Sequence, residues 1–138
     1  RGEDPGPLLG GAQRDPHRAV TTTLRILLVE DSVDDADLLR FQLEDAGLSF
    51  ELRWASSERM LLETLETFTP TVAVSDLNLP GYSGLSALAL LHARWPDLPL
   101  ILLTGADDTP TPDVPAIVLG KTELHRLPAL LAGLQASD

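Results

Sequence analysis

Five short apolar runs, separated by longer stretches of helical period, limit what this chain can fold into more than any other feature. The first, Leu24-Arg-Ile-Leu-Leu-Val29, is nearly unbroken, as suits a strand covered on both faces. Phe50 to Ala55 instead alternates apolar and charged residues, which predicts an edge or half-exposed strand. Thr71 to Ser75, Leu98 to Leu103 and Ala116 to Leu119 complete the set. Between the first two, Ser32 can cap a helix with Asp34 and Asp35 in its first turn and Leu39, Leu43 and Ala46 on one face, stopping at Gly47. Ser56 or Ser57 caps the next, with Leu61, Leu62, Leu65 and Phe68 inward and Pro70 closing it. Leu85, Leu88, Leu91 and Trp95 give a third, ended by Pro96. Leu124, Leu127, Leu130, Leu131 and Leu134 give a last helix, about Thr122 to Leu134, in which Pro128 marks either a bend or a late start.

One crossover breaks the rhythm. Between the fourth and fifth strands Pro110, Pro112 and Pro115 each remove a backbone donor, so a helix there is at most one turn and the segment is expected to be a loop. Alternating strands and helices imply a parallel sheet covered on both faces. Five strands in a chain of this size predict the flavodoxin-like doubly wound α/β fold, strand order 2-1-3-4-5, with the fourth helix reduced or missing. In that order the reactive crevice lies beyond the carboxyl ends of strands 1 and 3.

Residues 1–23 are rich in Gly, Pro and Arg, show no apolar period and read as a linker or N-terminal extension to the domain at 24–138. The only methionine is Met60, so the expectation is a piece of something longer or a processed product. The absence of cysteine excludes disulfides, zinc–thiolate centres and thiol nucleophiles. A net charge of −11 argues against nucleic acid or an anionic membrane as a direct partner. No run is long enough to insert in a membrane, and a cytoplasmic, reducing setting is the expected one.

Chemistry concentrates at the strand ends. Glu30-Asp31 follow strand 1, Asp76 follows strand 3 ahead of the turn at Pro80-Gly81, Thr104 follows strand 4 and Lys121 follows strand 5. Taken alone, Asp76 is either a turn former or a reactive group; the company it keeps favours the second. Three carboxylates at one mouth repel and call for a hard cation such as Mg²⁺. Asp76 can serve as a nucleophile, because a carboxylate can form an acyl phosphate. The Thr104 hydroxyl and the Lys121 ammonium can hold phosphoryl oxygens. Among nine arginines Lys121 is the single lysine, and it falls at this crevice. Asp34, Asp35 and Asp37 read as a solvated helix start, Asp107 and Asp108 as loop solubility, Trp54 and Trp95 as packing or surface-groove residues, and Val118 as a core residue.

Glu30-Asp31, Asp76 followed by Leu-Asn-Leu-Pro-Gly, Thr104 and Lys121, in register with five strands, resemble the receiver domain of two-component response regulators, the CheY-like family. The resemblance covers about residues 24–136. It implies that Asp76 accepts a phosphoryl group from a histidine kinase or histidine phosphotransfer protein, the receiver being part of a hybrid kinase or multidomain regulator. It implies further that Asp31, Asp76 and the backbone carbonyl of Asn78 bind Mg²⁺ or Mn²⁺, with Glu30 helping through water, and that Thr104 and Lys121 sense the phosphoryl group. A homodimer is compatible with it, and it implies no enzyme beyond weak self-phosphorylation and self-dephosphorylation. The chain departs from the family pattern in its proline-rich fourth crossover, in Val118 where an aromatic is usual, and in Thr122 where a proline usually follows the lysine. Those departures motivate an alternative, a receiver-like interaction module that no longer switches. An aspartyl phosphatase of the haloacid-dehalogenase type fits poorly, because Asn78 stands where its second aspartate belongs.

Overall fold

A computed structural model describes residues 23–79, 81–105 and 111–136. Its strands are β1 (Leu24–Val29), β2 (Phe50–Ala55), β3 (Val72–Asp76), β4 (Leu100–Thr104) and β5 (Ile117–Gly120). They form one sheet in the order β2-β1-β3-β4-β5, and every pair is parallel. That is the expected doubly wound order. The helices are α1 (Val33–Asp45), α2 (Glu58–Leu65), α3 (Gly84–Arg94) and α4 (Leu127–Ala136).

Strand alternation divides the core into two layers. Ile26, Leu28, Val72, Val74, Ile101, Leu103 and Leu119 meet Leu39 and Leu43 of α1 and Leu127 and Leu131 of α4. Leu27, Val29, Ala73, Leu100 and Leu102 face the other way, onto Leu61 and Leu65 of α2, Phe68, and Leu88 and Leu91 of α3. Burying each such side chain stabilises the fold by about 1.5–3 kcal/mol before the ordering cost. β1 and β3 contribute to both layers, which is why their sequences are almost wholly apolar apart from Arg25 and the terminal Ser75-Asp76.

Local signals set the helix starts. Ser32 accepts from the Asp35 amide and Ser57 from the Met60 amide, the expected caps of α1 and α2. Several inward assignments change. Leu62 is 45% exposed: the buried line of α2 runs through Leu61 and Leu65, and Leu62 points about 100° round the helix from Leu61. Ala46 is exposed at the C-cap of α1, and Phe68 reaches the core from the turn after α2 ends. The last helix has a late start: Lys121–Arg126 form a 3₁₀ turn, and Pro128 sits in the first turn of α4, where its missing donor costs nothing.

The fourth crossover has no helix among its described residues, 111–116. Residues 106–110, with Asp107, Asp108 and Pro110, lie outside the described residues, as do 1–22 of the linker. Ile117 and Val118 are 41% and 44% exposed, so Val118 is not the core residue its apolar character suggested. One further element had no expectation behind it. Asn78–Leu79 and Tyr82–Ser83 pair as an antiparallel hairpin around Gly81, whose φ of 67° suits glycine.

Candidate functional site

The same alternation that builds the α1/α4 layer assembles the site. One period beyond Leu28 lies Glu30, one beyond Val74 lies Asp76, and one beyond Leu119 lies Lys121. Three apolar columns thus end in two acids and a base on one side of the sheet, at its carboxyl edge. Lys121 Nζ donates to Asp76 Oδ2 at 3.1 Å and lies 3.9 Å from Glu30 Oε1. Asp31 stands at the exposed mouth, and one carboxylate oxygen each from Glu30, Asp31 and Asp76 fall within 4.8 Å of one another. Glu30, Asp31, Asp76 and Lys121, carried by three distant segments, are thus brought together. Thr104 is buried at the end of the neighbouring strand β4, opposite Gly120, and Asn78 is exposed two residues beyond Asp76.

Asp76 is only 5% exposed, and backbone contacts fix where it sits. Leu77 donates to the Leu103 carbonyl at 2.9 Å, and Gly84 donates to the Leu77 carbonyl at 2.8 Å. α3 therefore begins pressed against the acid's own peptide. A Cβ on Gly84 would overlap the Asp76 carbonyl oxygen and come 2.8 Å from Leu77 Cα. On the other side, the Glu30 amide donates to the Ala55 carbonyl at 3.0 Å, and the Trp54 indole donates to the Glu30 carbonyl at 2.6 Å. Trp54 is thus more than packing, since it holds the loop that carries Glu30 and Asp31.

Burial is the main reason the Glu30 carboxyl is pushed up to about 7, with the Asp76 and Asp35 charges adding to it. The Ser32 amide, donating to Glu30 Oε2, and the Lys121 charge work the other way. For Lys121, burial acts to lower the pKa, but the hydrogen bond to Asp76 and the charges of Asp76, Glu30 and Asp35 outweigh it and raise it. The pocket thus holds more negative charge than one ammonium neutralises. Three hard oxygen donors with an open mouth suit an oxygen-seeking divalent cation.

Asp35 is the residue that sequence reasoning passed over. Its Oδ2 lies 3.5 Å from Lys121 Nζ, so it is more than part of a solvated helix start.

Residues 26–120 match the profile of the response regulator receiver domain. The chain belongs to that family. As a receiver it is similar to the Bradyrhizobium diazoefficiens transcriptional regulatory protein FixJ, 28% identical over 79% of this chain and 52% of the relative. It is also similar to the Klebsiella pneumoniae DNA-binding transcriptional regulator NtrC, 37% identical over 55% of this chain but 17% of the relative. The chain therefore spans about half of one relative and under a fifth of the other. Among solved structures, the receiver domain of a Pseudomonas fluorescens HD domain-containing protein superposes with a TM-score of 0.71 at 24% identity, covering 85% of this chain and all of that one. The Vibrio cholerae chemotaxis response regulator CheY4 gives 0.67 at 20% identity, covering 82% and 99%, so these two carry the fold alone. No helix among the described residues is long and apolar enough to cross a membrane.

Proposed function

We propose that this receiver accepts a phosphoryl group on Asp76 from a phosphohistidine of a histidine kinase or histidine phosphotransfer protein. The observation that carries the reading is the setting of Asp76, a buried carboxylate at a strand end, 3.1 Å from the only lysine in the chain and clustered with two further acids. An Asp76 oxygen attacks phosphorus in line with the leaving imidazole; the P–N bond breaks and the ring nitrogen recovers a proton. Glu30, Asp31 and Asp76, with the Asn78 carbonyl, would hold Mg²⁺ or Mn²⁺, whose charge offsets the repulsion between carboxylate and phosphoryl oxygens. Lys121 then turns from the Asp76 oxygen to a phosphoryl oxygen, and the Thr104 hydroxyl donates to another. The only chemistry of its own is the slow making and breaking of this acyl phosphate, so the domain is a switch rather than an enzyme with its own substrate. A cytoplasmic setting belongs to the same reading.

Incubation with a small-molecule phosphodonor and Mg²⁺ is expected to add one phosphoryl mass to the wild-type chain and none to Asp76→Asn. An adduct that survives Asp76→Asn would overturn the assignment. The exposed Val118 and the helix-free residues 111–116 favour a second reading, a receiver fold that binds partners without switching. Beryllofluoride with Mg²⁺ separates the two: a changed oligomeric state or partner affinity discards the non-switching reading, and unchanged behaviour discards the switch.

A further inference from the structure

The Lys121 ammonium has three protons to donate and faces three carboxylates carried by different parts of the fold. Asp76 at 3.1 Å is on β3, Glu30 at 3.9 Å follows β1, and Asp35 at 3.5 Å is on α1. The first two belong to the acid cluster a cation would enter, and both are almost fully buried. Asp35 is different: its side chain is 47% exposed and outside that cluster. A cation entering the cluster competes with the ammonium for Asp76, and two positive charges so close repel. Lys121 can yield Asp76 without leaving the crevice only if another partner remains, and Asp35 is the one placed to be it.

We propose that Asp35 is a positioning residue for Lys121, anchoring the ammonium to α1 so that Asp76 is freed for the cation while the lysine stays within reach of the site. The proposal rests on the reading above that a divalent cation occupies the acid cluster. Asp35 touches neither cation nor phosphoryl group and acts through Lys121 alone. Removing it leaves Lys121 wholly on Asp76 and Glu30, where it opposes cation entry.

Because Lys121 is the only lysine, protein made with ¹⁵Nζ-labelled lysine gives a single side-chain ammonium signal. In metal-free protein, Asp35→Asn is expected to shift that signal and speed its exchange with water, and Asp35→Glu to restore most of both. Calorimetric titration with Mg²⁺ is expected to show binding about two- to five-fold weaker in Asp35→Asn. In a Lys121→Met background the same change is expected to have no further effect. A general field effect of the lost charge predicts the opposite, an undiminished loss in that background, and would overturn the proposal. An unmoved lysine signal in Asp35→Asn would overturn it too. Absence of Mg²⁺ binding by the wild-type chain would instead overturn the functional reading on which it rests.

Discussion

Gly84→Ala is expected to destabilise the domain by about 3 kcal/mol or more, lowering its melting temperature by roughly 10 °C. Most glycine substitutions in a helix do the reverse, since alanine is the better helix former by about 1 kcal/mol. Here the added methyl has nowhere to go. What it meets is backbone, the Asp76 carbonyl and the Leu77 Cα, and no flexible side chain can swing aside. Relief requires α3 to move off β3, which breaks the 2.8 Å bond from the Gly84 amide to the Leu77 carbonyl and shifts the peptide that carries the acceptor. Gly133→Ala in α4 is the control, because a Cβ there meets nothing within 4 Å; it is expected to be neutral or mildly stabilising. Thermal unfolding of the two variants beside the wild type checks the pair. Equal, small effects would mean that α3 does not start against the acceptor strand as described.

The second large effect is on pH dependence, through Glu30. Its carboxyl titrates near 7 in the folded chain, mainly because it is buried, against an ordinary value of 4.5. Between those values the folded state binds more protons than the unfolded state, so stability falls as pH rises through that window. It is fully retained below the lower value and levels off above the upper one. The displacement sets an upper bound of about 3 kcal/mol, and sharing of charge with Asp76 and Lys121 makes about 1–2 kcal/mol the working figure. Other groups titrate as well, so the measurement is a difference. In chelator, the wild type is expected to lose that much relative to Glu30→Gln between pH 5 and pH 8, read from denaturant unfolding. Saturating Mg²⁺ is expected to shrink the difference, since a cation stabilises the ionised carboxylate. Parallel curves in chelator would show that Glu30 is not held in the buried, acid-crowded setting described.

The site was legible because it is an extension of the core pattern. Leu28, Val74 and Leu119 are ordinary alternating strand residues, and the polar side chains one period on have to emerge on the same side. Five strands follow from the same apolar runs, and their order from the doubly wound pattern that five such strands in a chain of this size suggest. What escaped lacks that support. Asn78–Leu79 and Tyr82–Ser83 are strands of two residues, too short to show any period. Asp35 sits among neighbouring aspartates in a turn where acids are favoured for the helix dipole alone, which hid its contact with Lys121. The Trp54 indole bond depends on how β2 lies beside β1, a relation between segments 24 residues apart. Val118 is apolar enough for the core, but β5 is the edge strand of the sheet and the side chain is 44% exposed there.

The most direct test of Asp76 as acceptor is to find the bond. Phosphorylation by a small-molecule donor with Mg²⁺, followed by borohydride, reduces an aspartyl phosphate to homoserine, and peptide mass spectrometry then reads its position. The account predicts homoserine at residue 76 alone, with none formed when Mg²⁺ is withheld. Homoserine at position 31 or 35, or a phosphoryl group on a histidine with residue 76 unmodified, would contradict it.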